Sequence, residues 1–167
     1  HGVRRVEALV ITHGHADHVG GAPALLQRLP VSVAVEPEAH IAEAAYFDFL
    51  EALGASEARW VAGRPGLAFE LDSVRFRVLH PATAWRGWSA AVNADSVILL
   101  VEYGGFRAVL AGDAGVAAER RSRWTSRAAC RAEPTKWVRP PPPAAPVSQV
   151  AAVMGSCTAG GAYVPAM

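Results

Sequence analysis

The first 118 residues predict an α/β or α+β layered domain, and three observations carry that expectation. Short β-branched runs stand between turn residues, "ALVIT" at 8–12 and "VSVAVE" at 31–36 among them. Two longer stretches have helical character. Two further pairs of runs are joined by turn residues, Asp72-Ser73 and Gly104-Gly105, as hairpins are.

Taken in order, residues 8–12 read as a short buried strand. "GGAPALLQRLP" follows as a helix, with Pro23 in its first turn and Pro30 closing it. "VSVAVE" alternates and is a strand. Residues 38–53 are expected to be helical, with Ile41, Ala45, Phe49 and Leu53 four apart on one face and Gly54 as the stop. "LAFEL" and "VRFRVLH" form a hairpin; Val74, Phe76 and Val78 share its inner face, and Arg75 and Arg77 the wet one. "SVILLVEY" and "FRAVLAGD" form a second hairpin, more apolar and therefore expected to be more buried, ending at Gly112-Asp113.

After Ala118 the pattern changes. Residues 1–117 carry nine arginines against thirteen acidic residues, a balance of −4, whereas residues 118–146 carry seven basic residues against two, a balance of +5. This stretch shows neither helical nor strand period, and Pro140–Pro143 favour a stiff polyproline II linker. Trp124 and Trp137 lie in it, an arrangement a nucleic-acid-binding arm could use for stacking. The last stretch, 147–167, is apolar and glycine-rich. Three segments are therefore expected: 1–118, a basic Pro-rich linker at 119–146, and 147–167. An apolar content of 51% suffices for a core. No run of about 18 apolar residues suggests a membrane span, and no signal pattern is visible. The chain starts at His1 and reads as the interior of a longer frame. Two cysteines, Cys130 and Cys157, are too few for a disulfide framework and leave the compartment open. A formal charge of +1 gives no reason by itself to expect nucleic acid.

The chemistry concentrates in "THGHADHVGG", where His13, His15, Asp17 and His18 fall within six positions after the first strand. Extended residues two apart point the same way, so His13 and His15 can present two imidazoles to one metal ion. Asp17 and His18 follow once the chain has turned and can face a second ion. Imidazoles with a carboxylate suit Zn²⁺ first, then Mn²⁺, Fe or Co. Gly20 and Gly21 leave room for a tight fold behind the ligands. A lone histidine is usually structural, and a structural zinc site usually wants cysteine, which is not near.

This stretch resembles the HxHxDH signature of the metallo-β-lactamase superfamily, and "VLAGDA" looks like that superfamily's later Gly-Asp motif. "DHVGGAPALLQRLPV", "FRVLHP" and "NADSVILLVEYGGFRAVLAGDA" are similar to the metallo-β-lactamase-like domain of bacterial competence proteins, the DNA-uptake channels. The resemblance implies an α/β fold, an αββα sandwich with the metals at the sheet edge, incomplete at both ends and followed by an irregular Pro-rich tail. It implies two-metal hydrolysis, with water activated between the ions attacking a phosphorus or carbonyl centre. His13 and His15 would hold the first ion and Asp17 and His18 the second. Asp17 would also orient the water, as the catalytic residue, and Asp113 would bridge. Zinc is the implied metal, two ions in the intact domain, with manganese the alternative. The implied substrate is DNA or another phosphodiester, and the parent protein would carry a membrane channel domain. Asn93 or Asp95 stands where the superfamily has a further histidine, and His80 is another donor, or a polar residue closing a strand before Pro81. No histidine follows His80 to supply the last ligand.

"VSQVAAVMGSCTAGGAYVPAM" resembles a different family, the carboxyltransferase β subunits of acyl-CoA carboxylases. That likeness implies an oxyanion hole from the backbone N–H groups of Gly160 and Gly161. Three readings follow: a metal-dependent hydrolase of phosphodiesters, a metal-binding module without turnover, and a carboxylase fragment.

Overall fold

The computed structural model of the chain describes residues 3–81, 87–115, 118, 136–137 and 151–154. Two sheets face each other. The first runs in the order β11-β1-β2-β4, built from Ala151–Met154, Val6–Ile11, Val31–Glu36 and Arg59–Ala62. Every pairing in it is parallel. The second runs β10-β5-β6-β8-β9: Lys136–Trp137, Leu67–Leu71, Val74–His80, Ile98–Tyr103 and Phe106–Leu110. Its β5–β6, β6–β8 and β8–β9 pairs are antiparallel. A two-stranded parallel pair, β3 (Ala39–His40) with β7 (Gly87–Trp88), stands apart from both sheets in pairing.

β1 is buried along its whole length because it is covered on both faces. Ala8 and Val10 look toward the second sheet and pack with Val33, Val35, Phe69, Phe76, Val78 and Leu99. Phe69 and Phe76 stack at 4.9 Å there, directly across the β5–β6 ladder. Leu9 and Ile11 look the other way, into a layer of helices: α1 (Ala16–Val19), α2 (Ala22–Arg28) and α3 (Ala44–Ala55) supply Val19, Ala22, Leu26, Tyr46, Phe49 and Leu53. Among the described residues the layers are thus helix, sheet and sheet, an α/β arrangement that includes one of the two helical layers of the expected sandwich. No helix among the described residues is long and apolar enough to cross a membrane.

Several elements differ from the sequence expectation. The helix expected over 20–30 forms as α2, Ala22–Arg28, with Pro23 and Pro30 where expected, and a further short helix, α1, precedes it within the histidine cluster. The helix expected over 38–53 starts only at Ala44, because Glu38 takes a left-handed backbone (φ 61°) and Ala39–His40 become β3. Gly54 lies inside α3 rather than ending it; the stop is Ser56, whose hydroxyl donates to the Leu53 carbonyl at 2.8 Å. Arg77 is not on a wet face. It is buried and pairs with Glu102 of β8 at 3.1 Å, a neutralising partner that alternation along one strand does not reveal. The second hairpin is buried along β8 but not along β9. β8 lies between β6 and β9, but β9 is the edge strand among the described residues, with Phe106 and Arg107 exposed. β4, β7, β10 and β11 had no sequence signal. β10 falls in the stretch read as patternless. β11 falls in the glycine-rich tail and pairs with β1 from Ala8↔Ala151 to Ile11↔Met154.

Candidate metal centre

The site forms where β1 ends. Ile11 is the last strand residue, and the chain then leaves the sheet through Thr12–His15 into α1, which carries Asp17 and His18. His13 and His18 are fully buried side by side, ring centroids 4.0 Å apart. The His15 ring stands perpendicular to that of His13 at 4.9 Å and is half-buried. Asp113 arrives from the end of β9, its Oδ1 3.4 Å from His18 Nε2. Asp17 is exposed and approaches the same nitrogen at 3.6 Å. One donor atom each from His13, His18 and Asp113 lies within 4.8 Å of the others.

Two glycines make this convergence sterically feasible. A Cβ at Gly14 would meet Ile41 Cγ2 at 2.6 Å and the Tyr46 ring at 3.1 Å, so the metal loop lies directly on α3 and the segment before it. Gly112 has a φ of 55°, and a Cβ there would meet Thr12 Cβ at 2.8 Å. The loop bearing Asp113 therefore rests on the loop bearing His13 at a separation only glycine allows. The Val97 N–H donates to the Thr12 carbonyl at 2.8 Å and ties the start of β8 to the same point. Gly14 and Gly112 let other elements close on the ligands, and Gly20 permits the tight turn behind them, since a Cβ there would meet the Ala16 carbonyl oxygen at 2.6 Å.

Thr12 is the residue sequence reasoning passed over. It is buried, and its Oγ1 lies 3.2 Å from His13 Nδ1 and 3.5 Å from His18 Nδ1. Hydrogen bonding at Nδ1 directs the Nε2 edge of a metal-binding imidazole toward its ion. His13 Nε2 is buried and has no hydrogen-bond partner among the described residues. A buried polar atom left in that state costs about 1–3 kcal/mol, and a metal–nitrogen bond removes the cost. Behind the loop, Glu36 at the end of β2 is also buried. It accepts from Glu38 N–H (3.0 Å), Tyr46 O–H (3.3 Å) and Trp60 Nε1–H (3.0 Å), which fixes the Tyr46 ring beneath Gly14. Burial pushes the Glu36 carboxyl up from its ordinary value and the Tyr46 hydroxyl up as well. Glu43 accepts the Ala16 N–H at 3.0 Å and holds the first turn of α1, whose own preceding residue, His15, gives no side-chain cap.

Burial, reinforced by the neighbouring His18 and His15, lowers His13 to about 4, so its imidazole is neutral near pH 7 and fit to bind a cation. The unfolded value is near 6.5. A group depressed in this way contributes stability that is fully present above 6.5 and lost as the pH falls through 4, because the unfolded chain takes up the proton first. In chelator, the metal-free chain is expected to lose thermal stability between pH 6.5 and 4 more steeply than His13→Asn does. Equal slopes by circular dichroism would refute it.

The remaining sequence candidates lie elsewhere. His80 closes β6 in the buried interior, with Nδ1 3.0 Å from the Ser96 carbonyl, and lies outside the three-residue cluster. Asn93 and Asp95 sit on a 3-10 turn, Val92–Asp95. Asn93 is exposed, and Asp95 accepts from the Ser89 hydroxyl at 2.6 Å. Gly160 and Gly161 lie outside the described residues.

Comparison with known proteins agrees with this geometry. The family model described as the metallo-beta-lactamase superfamily matches residues 2–151. ComE operon protein 3 of Bacillus subtilis is 29% identical over 112 residues, which cover 67% of this chain and 14% of that protein. Ribonuclease J 1 of Streptococcus pyogenes serotype M3 is 54% identical over 33 residues, 20% of this chain and 6% of that protein. The chain thus matches only a small part of the length of each relative. The family model continues through the basic stretch to the first residue of β11, and the likeness of the tail to carboxyltransferases finds no support in these matches.

Proposed function

The chain belongs to the metallo-β-lactamase superfamily, and from that membership we propose that it is the metal-binding part of a hydrolase of phosphodiester bonds in nucleic acid. The observation that carries the reading is the convergence of His13, His18 and Asp113, from two loops nearly a hundred residues apart, at the buried Nε2 of His13, which has no hydrogen-bond partner among the described residues. Two imidazoles and a carboxylate are a zinc-type donor set, with manganese as the alternative. His13, His18 and Asp113 would hold the metal, with His15 and Asp17 at its rim. A bound divalent ion lowers the pKa of water and stabilises negative charge on a phosphoryl oxygen. Asp17 is exposed beside the cluster, so its carboxylate can accept a proton from water entering from solvent. Thr12 keeps the two buried imidazoles oriented, and the loop of Gly112 holds Asp113 against them. The nucleic-acid substrate is supported by the likeness over 33 residues to a ribonuclease and by the resemblance to competence proteins. DNA is the form that the second of these favours, and a membrane channel domain belongs to the parent on the same ground.

The test is hydrolysis of bis(p-nitrophenyl) phosphate and of single-stranded DNA by the zinc-loaded chain. Asp17→Ala is expected to lower turnover at least about 10²-fold while leaving the fold intact, as loss of a positioned proton acceptor does. Zinc bound without turnover in the wild type would instead establish the second reading, a metal-binding module. That reading draws on one fact: only three donors meet in the cluster among the described residues.

A further inference from the structure

Beside the metal loop lies a patch that the chemistry above does not use. Trp88 is 60% exposed and Phe47 48% exposed, and their rings meet edge to face at 6.1 Å and 63°. His40 adds a third ring, 6.2 Å from Trp88 at 88°. An edge-on contact leaves an aromatic face open to solvent, whereas stacked rings hide theirs.

This is a braced surface. Trp88 is paired with His40 in the β3–β7 ladder, and the ladder is extended by Gly87 N–H to the Glu38 carbonyl (3.2 Å) and Ser89 N–H to the His40 carbonyl (2.9 Å). Phe47 lies one turn along α3 from Glu43, the residue that holds Ala16 between His15 and Asp17. One turn is about 5.4 Å of rise. His40 in turn lies 5.9 Å from the Tyr46 ring that packs under Gly14. The elements that hold the metal loop are therefore the ones that present the aromatic faces.

We propose that Trp88 and Phe47, with His40 behind them, are a stacking platform for an unpaired nucleobase of the substrate strand, next to the bond to be cut. The inference rests on the phosphodiester reading above and adds the residues that would select a single-stranded, base-bearing substrate. Size favours a base over a protein. Aromatic side chains bury about 150–250 Å² each, so two rings half to three-fifths exposed offer roughly 200–250 Å². A stable protein interface needs about 800 Å² per partner. Base–aromatic stacking tolerates any sequence, since every base has a flat face.

The experiment uses the full chain in chelator, so that binding is read without turnover. Affinity for a short thymine oligonucleotide is compared with that for an abasic strand of the same length and charge. The wild type is expected to prefer the base-bearing strand by about 5- to 150-fold, the range stacking supplies. Trp88→Ala with Phe47→Ala should abolish the preference while leaving abasic affinity unchanged, and Trp88→Phe should retain most of it. Both side chains are exposed, so neither change removes core. Equal binding of the two strands by the wild type would overturn the platform, as would a preference that survives in the double variant. A dimer broken by Trp88→Ala would do the same, by showing a second copy as the occupant. Cleavage of the same strands with zinc is scored separately. Base preference without cleavage sinks the hydrolytic reading alone; cleavage without base preference sinks the platform alone.

Discussion

With alanine at both His13 and His18, the chain is expected to bind no zinc and to show no metal-dependent hydrolysis. These two imidazoles are buried with centroids 4.0 Å apart, and their donors complete the group with Asp113. Removing them leaves Asp113 as the last member of the cluster, with only His15 and Asp17 at the rim, and takes away both buried imidazoles that favour a borderline-soft ion. The substitution also empties part of a packed loop, so loss of activity alone would be ambiguous. The discriminating quantity is the stabilisation that metal confers. A ligand that binds only the folded state adds about 2.7 kcal/mol at a hundred times its Kd. The wild type should therefore melt higher when zinc replaces chelator, and the double variant should melt at one temperature in both. A zinc-dependent shift that persists in the variant would place the metal elsewhere.

Gly112→Ala is expected to destabilise the chain by about 2–5 kcal/mol and to weaken zinc binding. Two costs add here. The backbone is left-handed, which costs a residue with a Cβ about 1–2 kcal/mol. The new Cβ would also lie 2.8 Å from Thr12 Cβ, an overpacking that typically costs about 1–3 kcal/mol. Gly104 provides the control. Its φ of 54° matches the 55° of Gly112, but its Cβ position has nothing within 4 Å. Gly104→Ala should show the backbone cost alone and leave zinc binding untouched. Equal losses for the two variants in chemical denaturation would mean that Thr12 yields freely and that the two loops are not clamped.

Gly112 also shows where reading residues in order stops. A Gly-Asp pair at the end of an apolar run looks like a turn, and Asp113 entered the candidate site only through family likeness. Its place beside His18 depends on β8 and β9 bringing the chain back to Thr12, and no local pattern encodes that return. The same holds for Thr12, an ordinary strand-end residue until two histidine rings close on its hydroxyl. Arg77 looked wet because alternation along one strand says nothing of Glu102, which reaches it diagonally from the neighbouring strand. α3 starts late because Glu38 is held in a left-handed turn from afar, its carboxylate by Arg64 and its carbonyl by Gly87 N–H.

Local chemistry alone settled a good deal. β-Branched runs specified β1, β2 and both hairpins, since period and turn residues act within a few positions. The crowding of His13, His15, Asp17 and His18 after a buried strand already pointed to a metal, because donor type and spacing are properties of the chain itself. Tertiary structure decided which donors share one space: His13 with His18 and Asp113, and His80 apart from them, hydrogen-bonded to Ser96. It also made β11 a neighbour of β1 and set Trp88 beside Phe47. Those outcomes depend on contacts between distant segments, whose stability comes from close packing and from hydrogen bonds completed only when the sheets assemble.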